Sequence, residues 1–312
     1  MFCAEALSIQ KGAFQIVAFL LSLWAVKTPP TAVCPGWCPH QRAAIWNAPI
    51  QKGLLFTFAD MFIIKKSLGQ HFLKDDVVIQ KIVAALKEDA FTNLLEVGPG
   101  GGALTKELVK IPGINFRAVE LDDTKTAYLE KTYPFLKGKI IAESFLDIDA
   151  PFEEQFTVIG NFPYNISTQI LFKVLDWKDK VPVVIGMFQK EVAERAASRE
   201  GNKVYGVLSV LIQAFYEVEY LFDVSNQSFN PPPKVQSGVI RLKRKNTELI
   251  VKNERAFKVL VKTAFNQRRK TLRNAVKSLF TAEALQDDIF NKRAEALSVE
   301  DFAALTFKMN LA

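Results

Sequence analysis

Cysteine is nearly missing from this 312-residue chain: there are three, Cys3, Cys34 and Cys38, and none beyond residue 38. A disulfide scaffold is thereby excluded, and the body of the chain has the cysteine usage of an intracellular protein, with a cytoplasmic location expected. Cys34, Cys38 and His40 lie in a proline-rich stretch without a fourth partner, too few ligands for a closed zinc site, so no metal is expected. Long apolar runs are lacking too. Phe14–Val26 offers thirteen uncharged residues, short of the roughly 20 that a membrane-spanning helix needs. Internal repeats and low-complexity tracts are absent. A composition of 49% hydrophobic and 23% charged residues excludes collagen-like and fully disordered chains.

What is present is unevenly placed. The first 60 residues hold all three cysteines, three of the four tryptophans (Trp24, Trp37, Trp46) and five of the 14 prolines, with only four basic and two acidic residues. Met61 stands immediately before the first well-patterned segment. Residues 1–60 therefore read as an extension foreign to the rest, either an upstream stretch read through from a mis-assigned start or a targeting leader, although no small-x-small cleavage site is evident. Residues 61–312 keep 36 basic and 31 acidic residues, a mild positive excess that suits an anionic partner without requiring one.

From Lys65 onward strands and helices alternate. Asp75 and Asp76 can cap a helix whose residues Ile79, Ile82, Val83 and Leu86 form one apolar stripe. Short apolar runs follow at 93–97, 115–120, 139–142, 156–160 and 181–187, separated by segments long enough for crossover helices. Such runs predict buried parallel strands in a doubly wound α/β sheet over residues 61–245. Residues 254–280 and 283–308 contain no strand-like run, so 246–312 is expected to form a small all-helical domain.

The first chemical signal is the glycine cluster Gly98-Pro99-Gly100-Gly101-Gly102, which directly follows the first strand. Glycine lets backbone approach a ligand closely, and a following helix N-terminus favours an anionic group. Glu120 falls at the end of the next strand, where a carboxylate can accept bonds from both ribose hydroxyls of a nucleotide-like cofactor. These features imply an adenosine-containing cofactor but leave NAD and S-adenosylmethionine both open. After the 156–160 strand the chain reads Asn161-Phe162-Pro163-Tyr164-Asn165. This arrangement resembles the catalytic motif of amino-group methyltransferases. The lone pair of an exocyclic adenine amine is delocalised into the ring, so the amine must be held by acceptors before it attacks a methyl sulfonium. Asn161 Oδ1 and the Phe162 carbonyl can supply them, Pro163 stiffens the loop, and Tyr164 offers a flat face to the base. A base must leave its stack to reach such a pocket.

With these motifs, the chain from about Lys65 onward resembles the KsgA family of ribosomal RNA small-subunit adenine dimethyltransferases. The likeness rests on the blocks 67–73 (SLGQHFL), 98–102, 119–122 (VELD), 160–167 (GNFPYNIS), 188–192 (FQKEV), 229–235 (FNPPPKV) and 264–273 (AFNQRRKTLR), in that order. The resemblance implies a Rossmann-like S-adenosyl-L-methionine-dependent methyltransferase sheet with a helical RNA-binding domain. It also implies dimethylation at N6 of two adjacent adenosines near the 3′ end of small-subunit (16S) rRNA, and a part in small-subunit biogenesis. By the same resemblance His71, Leu73, Gly98, Gly100, Glu120, Asp147 and Asn161 would contact the cofactor, and Asp147 would accept from its adenine amino group. His71 stands where many members have Asn, and its contact can run through side chain or backbone. Phe229 would form the second wall of the base pocket. No metal is required, because the sulfonium already activates the methyl group. The expected partner is small-subunit rRNA or the immature small ribosomal subunit, met by a monomer and not by a membrane-bound protein.

Arg269, Arg273 and Lys277 recur every four residues beside the apolar Leu272, Val276 and Leu279, which predicts a helix over 266–280 with one basic and one packed stripe. Arg268, Lys270 and the run 241–245 add positive charge for which RNA phosphates are the natural partner. Two other readings stay open: a large-subunit rRNA adenine N6-methyltransferase, and a ribosome-assembly or transcription factor on the same fold.

Overall fold

The structure, a computed structural model, describes residues 71–310. The N-terminal extension with Cys34, Cys38 and His40, the segment 61–70 and the last two residues lie outside the described residues.

The described chain opens with a short strand β1 (Phe72–Leu73) and helix α1 (Asp76–Leu86). Asp75 Oδ1 caps α1 by accepting from the amides of Val77 (3.0 Å) and Val78 (3.3 Å), and Ile79, Ile82, Val83 and Leu86 are all buried. Then follow β2 (Asn93–Val97), a one-turn helix α2 (Thr105–Leu108), β3 (Asn115–Val119), α3 (Asp123–Thr132), β4 (Ile140–Ile141), β5 (Thr157–Asn161), α4 (Ser167–Asp176) and β6 (Val183–Gln189). Beyond them lie α5 (Lys190–Ala197), α6 (Val207–Gln213), β7 (Tyr216–Val224), β8 (Phe229–Asn230) and β9 (Ser237–Arg244). Helices α7 (Glu254–Asn266), α8 (Leu272–Ala275) and α9 (Val299–Thr306), linked by 3-10 turns, complete the described chain.

Seven strands form one sheet in the order β4-β3-β2-β5-β6-β9-β7. The Rossmann-like α/β arrangement expected from the sequence is present. It is not parallel throughout: β9 runs antiparallel to β6, and β7 antiparallel to β9. In β7 the exposed Glu217, Glu219 and Asp223 interrupt more buried neighbours, the pattern of a strand with one wet face and not of a strand covered on both sides.

From β2 the chain winds outward through β3 to β4, then returns to lay β5 along the other side of β2. The carboxyl ends of β2 and β5 thus meet where the winding reverses, the place at which open α/β sheets bind ligands.

Phe257, Val261 and Phe265 of α7 and Phe302 of α9 belong to the same buried cluster as Leu208, Leu211 and Tyr216, so the C-terminal helices and the sheet share one continuous core. The helix expected over 266–280 is broken. Helix α7 stops at Asn266, Thr271 is extended (φ −62°, ψ 153°), and α8 covers only four residues before a 3-10 turn. Breaking the helix lets Leu272 and Val276 both reach zero exposure, while the Leu272 amide bonds the Lys292 carbonyl at 2.8 Å. Core burial outweighs local helix preference here. Among the described residues no helix is long and apolar enough to cross a membrane.

Candidate active site

A cavity of about 420 Å³ opens where β2 and β5 end. Its walls include His71, Leu73, Gly98, Gly100, Glu120 and Asn161. Phe162 and Tyr164 also reach it, so most of the residues singled out from the sequence come together. Two do not. Asp147 is exposed and stands outside the walls, where Ser144, Phe145 and Leu146 take the expected place. Strand β4 ends at Ile141, and Asp147 closes a turn in which its amide bonds the Ser144 carbonyl at 3.0 Å. Phe229 is likewise absent from the walls. It pairs with Leu73 in the β1–β8 ladder and its side chain is buried at 1% exposure.

The glycine turn needs glycine at three points. Gly98 (φ 68°), Gly100 (φ 56°) and Gly102 (φ 83°) adopt left-handed backbone, which costs any residue with a Cβ. Because α2 is a single turn, little helix dipole stands behind this loop, contrary to the expectation of a helix N-terminus facing an anion. The turn is braced instead by Glu120. Its Oε2 accepts from the Gly100 amide at 2.9 Å and its Oε1 from the Asp122 amide at 3.0 Å. Each oxygen keeps a further lone pair for another donor.

Glu96 was not singled out from the sequence, although an acid within the apolar strand NLLEV is a legible signal. It lines the same cavity and is 1% exposed. Burial pushes its carboxyl up to about 8, the hydroxyl of Thr105 donating at 2.7 Å pulls the other way, and the charge on Glu120 adds to the rise. With its folded value above its unfolded one, the folded state holds the extra proton. Stability is therefore lost as pH rises from about 4.5 through about 8. Glu96→Gln is expected to match the wild type near pH 5 and to melt several degrees higher at pH 9. Parallel melting-temperature curves for the two proteins across that range would refute this.

The loop after β5 carries the other half of the site. Asn161 Nδ2 donates to the His71 carbonyl at 3.2 Å, which leaves Oδ1 as an acceptor. His71 meets Asn161 through its backbone, while its Nδ1 bonds the Pro231 carbonyl at 2.9 Å. Phe162 anchors the loop from below: its amide bonds the Met187 carbonyl at 3.1 Å and its ring packs on Phe188 at 4.8 Å. Glycines on paired strands make room for these rings, Gly160 standing opposite Gly186. Tyr164 lies against His71, ring centroids 5.6 Å apart, a direct aromatic contact that leaves no space for a base between them. Burial raises the Tyr164 phenol, so it stays neutral at ordinary pH.

Residues 61–309 match the sequence profile of the ribosomal RNA adenine dimethylase family. The chain belongs to that family. It is 52% identical over 249 residues to the Flavobacterium johnsoniae protein named ribosomal RNA small subunit methyltransferase A, covering 78% of this chain and 95% of that one. The protein of the same name from Parabacteroides distasonis is 53% identical over 248 residues, covering 78% and 92%. Among solved structures, a dimethyladenosine transferase from Plasmodium falciparum superposes with a TM-score of 0.65 at 26% identity, covering 74% of this chain and 94% of that one. The 23S rRNA methyltransferase ErmE shares the fold, with a TM-score of 0.58 at 22% identity, covering 77% and 100%.

The basic residues of this dimethylase do not form one stripe. Arg268 is spent on structure, donating to the carbonyls of Lys203 (2.7 Å) and Tyr205 (2.9 Å). Arg269, Lys270 and Lys277 are exposed, while Arg273 is half-buried with its Nε enclosed and without a hydrogen-bond partner. Arg268 and Arg269 join Lys203 and Arg293 around a second cleft of about 370 Å³ that also holds Glu295. Lys203 and Arg293 were not singled out from the sequence; they lie far from the 264–273 block in the chain and meet it only in the fold.

Proposed function

We propose that this dimethylase uses S-adenosyl-L-methionine to place two methyl groups on N6 of each of two adjacent adenosines near the 3′ end of small-subunit rRNA, acting on the immature small ribosomal subunit. Asn161 carries this reading, because its amide nitrogen is tied back to His71, which leaves its oxygen as the acceptor, and the residue lines the cavity.

The cavity suits the cofactor. Glu96 and Glu120 line a space for a cationic cofactor, where Glu96, protonated in the free protein, would add negative charge by releasing its proton, and the left-handed glycines remove side chains from one wall. Glu120 would hold the ribose hydroxyls, the turn at Gly98–Gly102 the methionine portion, and the 143–146 segment, in place of Asp147, the adenine. When bound, S-adenosyl-L-methionine supplies a methyl group already activated for displacement. The chain's own residues then hold and aim the amine. Asn161 Oδ1 and the Phe162 carbonyl accept its two hydrogens, which directs the nitrogen lone pair away from the ring plane, and Tyr164 supports the base by stacking, worth about 1–3 kcal/mol. Once the nitrogen has bonded carbon it is cationic and its proton passes to water without a strong base. Exposed Arg269, Lys270 and Lys277 would meet phosphates.

Mass spectrometry of small-subunit rRNA from cells with and without the gene tests the whole reading. Loss of two adjacent dimethyladenosines near the 3′ end is the expected result, and a lost mark in large-subunit rRNA alone would overturn it. For the cofactor, Glu120→Ala is expected to weaken S-adenosyl-L-methionine binding roughly 100-fold, since hydrogen bonds to a charged group are each worth about 1.5–3 kcal/mol. Titration calorimetry reads this directly. A loss under threefold would exclude the ribose role.

A further inference from the structure

Tyr164 is held from across the sheet. It begins a single 3-10 turn after Pro163, with no local cap to fix its ring, yet its hydroxyl is bonded to Ser237 Oγ, 73 residues further along the chain. Ser237 opens β9 and has zero exposure. Its backbone is gripped on both sides, paired with Gln189 of β6 and Val224 of β7, so the hydroxyl is a fixed point of the sheet. The ring it holds is half-buried, borders the cavity and rests against His71. A tyrosine anchored only at its Cα would sample several ring orientations, and each must be frozen when a base stacks on it. A second anchor at the hydroxyl removes that freedom in advance.

We infer that Ser237 is a positioning residue for methyl transfer, fixing the Tyr164 ring at the angle at which it receives the target adenine. This rests on the reading above that Tyr164 stacks on the base. Ser237 acts only through the tyrosine hydroxyl, so the two groups are one unit energetically.

The test compares wild type, Ser237→Ala, Tyr164→Phe and the double variant in single-turnover transfer from labelled S-adenosyl-L-methionine to purified immature small subunits. Each single variant is expected to transfer about tenfold more slowly, the equivalent of one hydrogen bond of about 1.4 kcal/mol, and the double variant no more slowly than either. Cofactor affinity measured by calorimetry should stay within twofold throughout, which a general loosening of the fold would not allow. Multiplying effects in the double variant, or a wild-type rate in Ser237→Ala, would overturn the inference. Should Ser237→Ala not fold, Tyr164→Phe alone decides: an undiminished rate shows that the hydroxyl anchor is idle. Should the wild type transfer no methyl group to small subunits, the proposed function fails instead. Ring relaxation of 13C-labelled tyrosine then still reads the anchor, which stands if the Tyr164 ring is rigid in the wild type and mobile in Ser237→Ala, and falls if the two are alike.

Discussion

Asn161→Ala is expected to slow methyl transfer by at least about 10²–10³-fold, the usual cost of removing one preorganised hydrogen-bonding group from a transition state, while binding of small-subunit RNA stays within about threefold. The reason is geometric. The Asn161 amide nitrogen is tied to the His71 carbonyl at 3.2 Å, so its oxygen is left as the acceptor before any substrate arrives. Alanine removes the acceptor and leaves the His71 carbonyl without its donor. RNA affinity should be spared because Arg269, Lys270 and Lys277 stand on the C-terminal part of the chain, outside the cavity. Asn161→Asp keeps an acceptor but loses the donor that orients it, and should fall between the two. Dimethylation at the wild-type rate in the alanine variant would refute the assignment.

Gly186→Ala should be almost as damaging, although Gly186 itself stands outside the cavity walls. A Cβ at position 186 would come within 2.5 Å of the Phe162 ring, and one at Gly160 would come within 2.6 Å of the Val97 carbonyl. Because both rings sit against packed strands, the methyl group must displace Phe162 or Phe188. Overpacking of this kind costs about 1–3 kcal/mol, a drop of roughly 2–12 °C in melting temperature for a chain of this size. The rate should suffer more than the fold. Moving the Phe162 ring shifts the backbone that presents Asn161 and Tyr164, and small misplacements of positioning groups cost about 100-fold. Cofactor affinity should change far less, since the Gly98–Gly102 turn and Glu120 are on other strands. Calorimetric unfolding and single-turnover transfer, measured at 25 °C, check both halves. A wild-type rate with an unchanged melting temperature would show that the rings have room to spare.

The parts of the site legible in the sequence were those made by adjacent residues. Asp75 capping α1, the glycine turn after β2, Glu120 after β3 and the 161–164 loop after β5 each announce themselves within a few positions. What was hidden depends on distant chain segments. Asp147 is a plausible acid near a strand end, but only the fold shows that the walls are taken by the residues just before it and that it stands exposed outside them. Phe229 looked like a pocket wall until its pairing with Leu73 placed its ring in the core. The regular spacing of Arg269, Arg273 and Lys277 suggested one helix face, and the demands of Leu272 and Val276 for burial broke that helix. Strands β7 and β9 were missed because their alternation belongs to an antiparallel sheet, while the earlier strands had set the expectation of a parallel one. Glu96 alone was missed without such excuse: a carboxyl among buried aliphatic residues is conspicuous in any sequence.

The core shared by the sheet and the C-terminal helices has a consequence for which nucleotide is chosen. Close-packed interiors transmit displacement instead of absorbing it, so the basic surface around Arg269 and the cavity at Asn161 are held at a set span by Leu208, Leu211, Phe257 and Phe265. On the function proposed here, the enzyme works as a ruler: once phosphates are gripped at one end, only a base at the matching distance reaches the other. Serving two neighbouring adenosines is then the task of the RNA, which must advance by one nucleotide along a rigid gauge.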